Sequence, residues 1–385
     1  MDRQGFGTAA TGRLIPTIGG RKAFDPAPLP PADLDLNPLA ASIAQASQAI
    51  GELKGIGRTI ANPMLLIRPL QRREAVSSSS MEGTYTTLSD LFLFEAGVGD
   101  AGKREDNREV FNYVRALETA IAEMQTLPIS SRLLRNAHRH LLQGVARHRG
   151  ASADAGELKR DQNWIGGSGR IETARFIPPP PKEAADALDA LASYINRDVR
   201  GEMPALVDAG LAHYQFEAIH PFADGNGRVG RMMITLMLME DQVLPQPLLY
   251  MSPYFERHKD TYIDLMFEVS RKGRWLEWLG FFLEAVRESA LGTIAVAEQL
   301  QDLHQRYREL FQKAQSSALV LRIIDLAFER PARIVSDIAT ELGVSYQGAS
   351  NNIRKLVKAG VAEEIDSYPR VIIFPEILEA LRIER

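Results

Sequence analysis

The chain has 385 residues, no cysteine and a formal net charge of -4, from 45 Lys and Arg against 49 Asp and Glu. This near balance gives no global reason to expect nucleic acid or an acidic membrane as a partner, and the missing cysteines exclude disulfides, thiol nucleophiles and Cys-based zinc sites. Because we find neither a signal-peptide pattern after Met1 nor a run of about 20 apolar residues, we expect a cytoplasmic protein.

The first predicted segment, residues 1–37, is an extended arm. It is rich in Gly and Pro and ends in a run, Asp25 to Pro31, that contains four prolines. Proline fixes φ and lacks an N–H group, so this run disfavours both a helix and a central strand.

Residues 38–110 are predicted to form an N-terminal helical region. Apolar residues recur there at helical spacing, and Gly55, Gly57 and Pro63 interrupt the pattern. Since interior Gly and Pro disfavour helices, we expect several short helices joined by loops.

Residues 111–300 are predicted to form a helical core. Apolar spacing indicates two amphipathic helices between residues 105 and 147, separated at Pro128. Further helices are predicted over residues 184–195, 204–216, 226–239, 254–271 and 276–306. Among them, a glycine-rich stretch from Gly166 precedes Phe176 and four consecutive prolines, which indicates an exposed loop or short hairpin.

Residues 316–385 are predicted to form a winged-helix domain, because a helix, a helix-turn-helix and an apolar hairpin follow one another. The candidate recognition helix, residues 346–359, carries three basic side chains and no acidic one: Arg354, Lys355 and Lys358. That suits DNA. The segment 318–374 nevertheless holds seven basic and seven acidic residues, and winged helices also serve in dimerisation and docking, so DNA and protein partners both stay open.

The stretch from His220 to Arg231 reads His-Pro-Phe-Ala-Asp-Gly-Asn-Gly-Arg-Val-Gly-Arg and lies between two predicted helices. Gly225 and Gly227 permit a turn with positive φ whose N–H groups converge, and the following helix adds the positive end of its dipole. This combination predicts an anion cradle. Arg228 and Arg231 lie three residues apart on the first turn, so we expect both guanidinium groups to reach phosphate oxygens.

Two further side chains add chemistry to this cradle. Asp224 supplies a hard oxygen ligand of the kind that holds Mg²⁺ against polyphosphate. An imidazole such as that of His220 titrates near neutral pH and serves as a general base. A base, a metal ligand and an anion cradle together indicate phosphoryl or nucleotidyl transfer.

At these residues the chain resembles the Fic family, whose pattern H-x-F-x-[D/E]-G-N-G-R-x-x-R is matched at every fixed position. With the C-terminal module, the resemblance implies a mainly α fold: a Fic-type helical core with a small β-hairpin flap, plus a C-terminal winged helix-turn-helix domain. It also implies a protein adenylyltransferase that transfers AMP from ATP to a Tyr, Thr or Ser hydroxyl of a target protein.

The resemblance assigns roles along the motif. His220 would be the general base on the target hydroxyl, Phe222 the anchor of the loop in the core, and Asp224 the ligand of a Mg²⁺ ion that bridges the α- and β-phosphates. The residues expected to bind ATP and its phosphates are Gly225, Asn226, Gly227, Arg228, Val229, Gly230, Arg231 and Tyr262. Tyr262 is similar to a region that lines the nucleotide pocket, although a core tyrosine on a helix face is an equal alternative.

The glycine-rich stretch resembles the family's flap, which pairs with the backbone of the target as an added strand beside the attacking hydroxyl. The residues expected to form this target-binding flap are Ile165, Gly166, Gly167, Thr173 and Phe176. An ordinary surface loop is the alternative interpretation.

The residues Ser78 to Gly83 fit the family's inhibitory pattern [S/T]-x-x-x-E-[G/N], with Ser78 and Glu82 at the specified positions. The resemblance implies that Glu82 forms an ion pair with Arg231. That pair would occupy the arginine meant for the γ-phosphate and leave ATP misaligned for in-line attack, so Glu82 is expected to inhibit the enzyme.

Other functions stay open at this point. The Fic core could sense nucleotide in a DNA-binding regulator, but such a sensor does not need the base His220. Related enzymes transfer other phosphate-containing groups or remove AMP, whereas Asp224 and Gly227 match the AMP-transferring pattern. The expected partners are ATP, a target protein that could be the chain itself, and a second copy in a homodimer.

Overall fold

A computed structural model describes residue 6 and residues 11–59, 62–98, 101–145, 154–198, 203–313 and 318–382. Two compact units are formed, one from Met1–Gly51 with Asn112–Ser289 and the other from Glu52–Phe111 with Ala290–Arg385. Most of the predicted N-terminal helical region thus groups with the C-terminal segment, and the domain boundaries given above stay a prediction. Among the described residues, no helix is both long and apolar enough to cross a membrane.

The fold is mainly helical, as predicted. In chain order the helices are α1 (Ala40–Thr59), α2 (Met64–Ser80), α3 (Leu88–Glu95), α4 (Arg104–Glu123), α5 (Ser131–Leu141), α6 (Pro181–Ile195), α7 (Ala205–Ile219) and α8 (Asn226–Glu240). They continue with α9 (Ser252–Arg257), α10 (Lys259–Lys272), α11 (Trp275–Lys313), α12 (Ala318–Glu329), α13 (Val335–Leu342), α14 (Tyr346–Lys358) and α15 (Pro375–Ala380).

The predicted extended arm contains a β-hairpin instead. Strands β1 (Gly12–Pro16) and β2 (Lys22–Pro26) pair antiparallel, with Leu14 opposite Phe24. Of the four prolines that argued against a strand, Pro26 ends β2 and the other three follow it, so none interrupts the ladder. Residues 1–5 and 7–10 of the predicted arm lie outside the described residues.

Helix α1 also departs from prediction, because it continues through Gly55 and Gly57 to Thr59. Burial of Ile50 and Leu53 on one face of this helix offsets the cost of about 1 kcal/mol that an interior glycine carries. Pro63 does mark an end, as the N-cap of α2. The two amphipathic helices on either side of Pro128 are confirmed as α4 and α5.

Helices α7 and α8 lie at the centre of the first unit. They pack against one another, and nearly every residue of both is buried, which is the pattern of helices enclosed on all sides. Trp278 of α11 donates from Nε1 to the backbone oxygen of Gly210 in α7, 3.0 Å away. The predicted motif joins the end of α7 to the start of α8.

The second unit packs α2 and α3 against the C-terminal elements. Its sheet has strands β3 (Ala332–Ile334), β4 (Glu363–Ile365) and β5 (Val371–Ile373), all antiparallel, in the order β3-β5-β4. Arg68 of α2 forms an ion pair with Glu329 of α12. The helices and hairpin expected over 318–374 are present in the expected order, and their interpretation as a winged-helix module stays a prediction.

Candidate active site

His220 ends α7 in a left-handed conformation, with φ of 49° and ψ of 59°. Its Nδ1 lies 3.3 Å from the backbone oxygen of Glu217. Because a carbonyl oxygen only accepts, Nδ1 carries the proton in this hydrogen bond and Nε2 becomes the basic nitrogen of the ring. The side chain is 21% exposed, so a substrate can reach it.

His138 of α5 anchors the loop that follows His220. The ring of Phe222, fully buried, stacks on that of His138 with centroids 4.0 Å apart. Nδ1 of His138 accepts from the N–H group of Gly156 at 3.0 Å, so Nε2 carries the proton and donates to the backbone oxygen of Asp224, also at 3.0 Å. Burial lowers the pKa of His138 to about 4, which keeps the ring neutral.

His138 is not among the residues predicted from the sequence. The residue lies on the apolar face of α5, four residues after Leu134 and three before Leu141, and all three are buried. A polar side chain on such a face needs a hydrogen-bond partner inside the protein, and that was the signal available.

Asn226 closes the loop on itself. Its Oδ1 accepts from the N–H group of Phe222 and its Nδ2 donates to the carbonyl of Phe222, both at 2.8 Å. Gly225, the N-cap of α8, has φ of 76°, a conformation that favours glycine. The amide of Asn226 therefore fixes the loop at the start of α8; its predicted contact with phosphate stays a prediction.

Asp224 lies beside the first turn of α8. Its Oδ1 accepts from the N–H group of Gly225 at 2.6 Å and is 3.8 Å from Nη2 of Arg228. The carboxylate side chain is 31% exposed, whereas Arg228 and Arg231 are almost fully buried. The described residues contain no group of three or more His, Cys, Asp or Glu that could hold a metal by itself. Mg²⁺ often takes one or two carboxylates with substrate phosphates and water, and Asp224 fits that kind of site.

The two later glycines of the motif, Gly227 and Gly230, both lie inside α8. Gly227 lies inside the first turn of α8, so its expected positive φ is wrong: the helix already starts at Asn226. At Gly230, a Cβ atom would lie 2.4 Å from Oε1 of Glu217, whose Oε2 is 4.0 Å from Nδ1 of His220. The fully buried Val229 belongs to the core.

Tyr262 of α10 is buried in an aromatic cluster with His213, Phe255 and Trp278. His213 donates from Nδ1 to the backbone oxygen of Gly230 at 3.1 Å, so its Nε2 accepts from the Tyr262 hydroxyl at 2.7 Å. Burial lowers the pKa of His213 to about 3. This position favours packing over ligand contact, and the predicted role of Tyr262 in the nucleotide pocket stays a prediction.

The predicted short hairpin is present as a single antiparallel bridge between Ile165 and Phe176, with N–H to oxygen distances of 2.8 and 3.1 Å. Gly166 and Gly167 have φ of 72° and 82°. A Cβ atom on Gly167 would lie 2.4 Å from the backbone oxygen of Thr173, so only glycine fits there. The hydroxyl of Thr173 in turn accepts from the N–H group of Ser168 at 3.0 Å.

The N-terminal hairpin supports this flap. Phe24 of β2 donates from its backbone N–H to the oxygen of Ile177 at 2.8 Å, and its ring lies 5.8 Å from that of Phe176. Thr17 also bonds to Gln162 at the flap base. The hairpin missed by sequence analysis is thus part of what positions the flap.

The predicted inhibitory residues lie at the end of α2. Ser78 is fully buried in the last turn of the helix. Glu82 follows in the turn at residues 81–83, where its N–H group donates to the backbone oxygen of Ser79 at 3.0 Å and its side chain is exposed. The ion pair with Arg231 stays a prediction.

Comparison with known proteins identifies the family of this chain, and one of the two matches contains the motif from His220 to Arg231. Residues 40–122 match the Fic/DOC family N-terminal model and residues 128–238 match the Fic/DOC family model. The Protein adenylyltransferase Fic of Drosophila willistoni and that of Drosophila melanogaster are each 28% identical over 165 residues, which is 42% of this chain. The chain covers 30% of the first relative and 31% of the second, so it spans about a third of their length.

Solved structures share the fold. A Fic family protein from Desulfovibrio desulfuricans G20 aligns with a TM-score of 0.56 and 20% identity, over 90% of this chain and 98% of that one. Fic-1 from C. elegans aligns with a TM-score of 0.52 and 18% identity, over 68% of this chain and 74% of that one. The family models, the curated relatives and the matched motif agree, and the chain belongs to the Fic/DOC family.

Proposed function

We propose that this protein transfers AMP from ATP to a hydroxyl side chain of a protein. The observation that carries the proposal is the placement of His220: its basic Nε2 belongs to an accessible ring that directly precedes the loop holding Asp224 and the start of α8. The name of the curated relatives, protein adenylyltransferase, supports the same activity.

In the proposed reaction the target hydroxyl oxygen attacks the α-phosphorus of ATP. The bond between that phosphorus and the oxygen leading to the β-phosphate breaks, pyrophosphate leaves, and the hydroxyl proton passes to Nε2 of His220. The Nδ1–H bond to Glu217 holds the ring in the tautomer that accepts this proton. The positive end of α8, with Arg228 and Arg231 in its first two turns, stabilises the phosphates.

We assign Mg²⁺ as the metal partner of ATP, with Asp224 as its protein ligand. The exposure of this carboxylate and its position at the N-terminus of α8 support the assignment. A bound Mg²⁺ ion would neutralise charge on the α- and β-phosphates.

Inhibition by Glu82 is part of the proposal. The pattern from Ser78 to Gly83 supports it. An ion pair with Arg231 would withdraw that guanidinium from the γ-phosphate. The flap at Ile165 and Phe176 is the proposed docking edge for the target backbone.

The segment 316–385 is proposed to be a docking module of the winged-helix kind. Tyr346 at the start of α14 is 49% exposed, and Tyr368 in the turn between β4 and β5 is fully exposed. DNA and a protein surface are the two partners to compare. Binding to a labelled DNA duplex that weakens steeply between about 50 and 200 mM salt would identify DNA.

The activity is tested by incubating the full chain with Mg²⁺ and ATP labelled at the α- or the γ-phosphate, alone and with a cell lysate. We expect label from the α-phosphate on protein, a mass gain equal to AMP, more modification in Glu82→Gly and none in Glu82→Gly/His220→Ala. His304→Ala, in the other compact unit, is the matched histidine control. Transfer of the γ-label, or nucleotide binding without transfer in Glu82→Gly, contradicts the proposal.

A further inference from the structure

Lys159 and Asn163, which precede the flap, bind four consecutive backbone carbonyls. These are the carbonyls of residues 219–222, at the end of α7 and in the loop that follows it. Nζ of Lys159 donates to the oxygen of Ile219 at 3.4 Å, and its backbone N–H donates to that of Pro221 at 2.9 Å. Nδ2 of Asn163 donates to the oxygens of His220 and Phe222 at 3.2 and 2.9 Å. Every carbonyl from residue 219 to residue 222 therefore has a donor from this one short segment.

The two side chains also bind each other. Nζ of Lys159 donates to Oδ1 of Asn163 at 2.7 Å, and Lys159 is only 4% exposed. Burial lowers the pKa of Lys159 to about 7. A neutral amine still has two N–H donors for its two acceptors, Asn163 Oδ1 and the oxygen of Ile219. The arrangement is therefore satisfied in either protonation state.

The loop needs this support because His220 has positive φ. A residue other than glycine in the left-handed region is strained, and the strain persists only where the surroundings hold the backbone. Nδ2 of Asn163 holds the carbonyl of His220 itself, and the conformation of that residue determines whether Nδ1 reaches the oxygen of Glu217.

We infer that Asn163 and Lys159 are positioning residues that hold His220 in the conformation and tautomer required of the base. The catalytic part of this inference rests on the proposed function. The same segment also fixes the position of His220 relative to the flap. Asn163 lies two residues before Ile165, which pairs with Phe176, and Gln162 donates to the oxygen of Pro178 at 2.9 Å. A target strand on the flap is thereby kept in register with His220.

The kinetic test uses the full chain with Glu82→Gly as background. Asn163→Ala and Lys159→Met are expected to lower kcat by roughly 10-fold to 100-fold, because a shift of about 1 Å in a catalytic group has an effect of that size. The KM for ATP should stay within about twofold, since the bonds of Asn226 to Phe222 still hold the start of α8. Asn163→Asp keeps the side-chain shape and removes the donor, and serves if Asn163→Ala does not fold.

Arg160→Ala is the matched control. Arg160 lies on the same segment, but its side chain is 76% exposed and pairs only loosely with Asp154 at 3.6 Å. It should leave kcat and KM unchanged. Equal kcat in Asn163→Ala and Arg160→Ala, with AMP transfer intact, overturns the inference, as does a parallel loss of ATP affinity.

A second readout does not depend on activity. The ring tautomers of the seven histidines are measured by long-range ¹H–¹⁵N NMR correlation, with His220 assigned from His220→Ala. We expect the Nδ1–H tautomer for His220 in the unmodified chain and in Arg160→Ala, and a shift toward the Nε2–H tautomer in Asn163→Ala or Asn163→Asp. An unchanged tautomer in those variants refutes the positioning role. A changed tautomer in a chain without AMP transfer refutes only the proposed function.

Discussion

Nε2 of His138 donates a hydrogen bond of 3.0 Å to the backbone oxygen of Asp224, so a neutral ring on α5 fixes the residue proposed to hold the metal. His138→Phe preserves stacking on Phe222 but leaves that oxygen and the N–H group of Gly156 without this partner. We expect the free energy of unfolding to fall by about 1–3 kcal/mol in urea titrations. His140→Phe, half-buried on the same helix, should change it by less than about 0.5 kcal/mol.

Because of the two buried imidazoles, the free energy of unfolding depends on pH. The pKa of His138 is lowered to about 4 and that of His213 to about 3, mainly by burial. Between these values and about 6.5, the unfolded chain binds protons on both rings while the folded chain does not. The free energy of unfolding should therefore fall as pH falls below about 6.5, by up to about 1.4 kcal/mol per pH unit for each ring.

Urea titrations at about pH 7.5, 6 and 5 measure this slope. The variant His138→Phe lacks one of the two rings and should show a shallower slope than the unmodified chain. Identical slopes in the two proteins would show that His138 does not contribute to the acid dependence.

A methyl group at Gly230 is expected to disturb the site. In Gly230→Ala the new Cβ would lie 2.4 Å from Oε1 of Glu217, whose other oxygen is 4.0 Å from the His220 ring. We expect a loss of about 1–3 kcal/mol in thermal or urea unfolding, together with reduced AMP transfer. Gly292→Ala in α11 is the matched control, because nothing lies within 4 Å of its added methyl and the helix should gain about 0.5–1 kcal/mol. A stabilised Gly230→Ala contradicts this account.

The flap offers a similar comparison. Gly167→Ala adds strain at positive φ and a contact of 2.4 Å with the backbone oxygen of Thr173, whereas Gly169→Ala, at φ of 79°, adds strain without a contact. We expect Gly167→Ala to raise the KM for a protein target several-fold more than Gly169→Ala does, with the affinity for ATP unchanged in both. Steady-state kinetics decides this, and equal effects would mean that the close approach to Thr173 is irrelevant.

Tyr262→Phe distinguishes the two interpretations of that residue. Loss of the hydroxyl leaves Nε2 of His213 without its donor at 2.7 Å, so the free energy of unfolding should fall by about 1–2 kcal/mol. The dissociation constant for ATP, measured by calorimetry, should stay within about twofold. A large loss of ATP affinity at full stability would instead place Tyr262 in the nucleotide pocket.

Much of the helical layout, and the loop that joins α7 to α8, could be predicted from local sequence patterns. Apolar spacing and the conformational preferences of glycine are set within a few residues of the chain. The support of the loop could not be predicted in this way. Lys159 and Asn163 act on carbonyls about 60 residues away, and His138 binds Asp224 across 86 residues. The strands β1 and β2 were missed because the prolines near them obscured the buried Ala23 and Phe24. The positive φ expected at Gly227 was wrong because this residue lies inside α8.

The ion pair between Arg68 and Glu329, together with the bond from Asn62 to Glu329, ties α2 to α12 within one compact unit. A shortened chain that ends after α11 would remove α12 and uncover the part of α2 against which it packs, including Arg68. Deletion of the C-terminal segment would therefore loosen α2, the helix that leads into the turn at Glu82, as well as remove the proposed docking module. Activity measured on such a truncated chain would combine both effects.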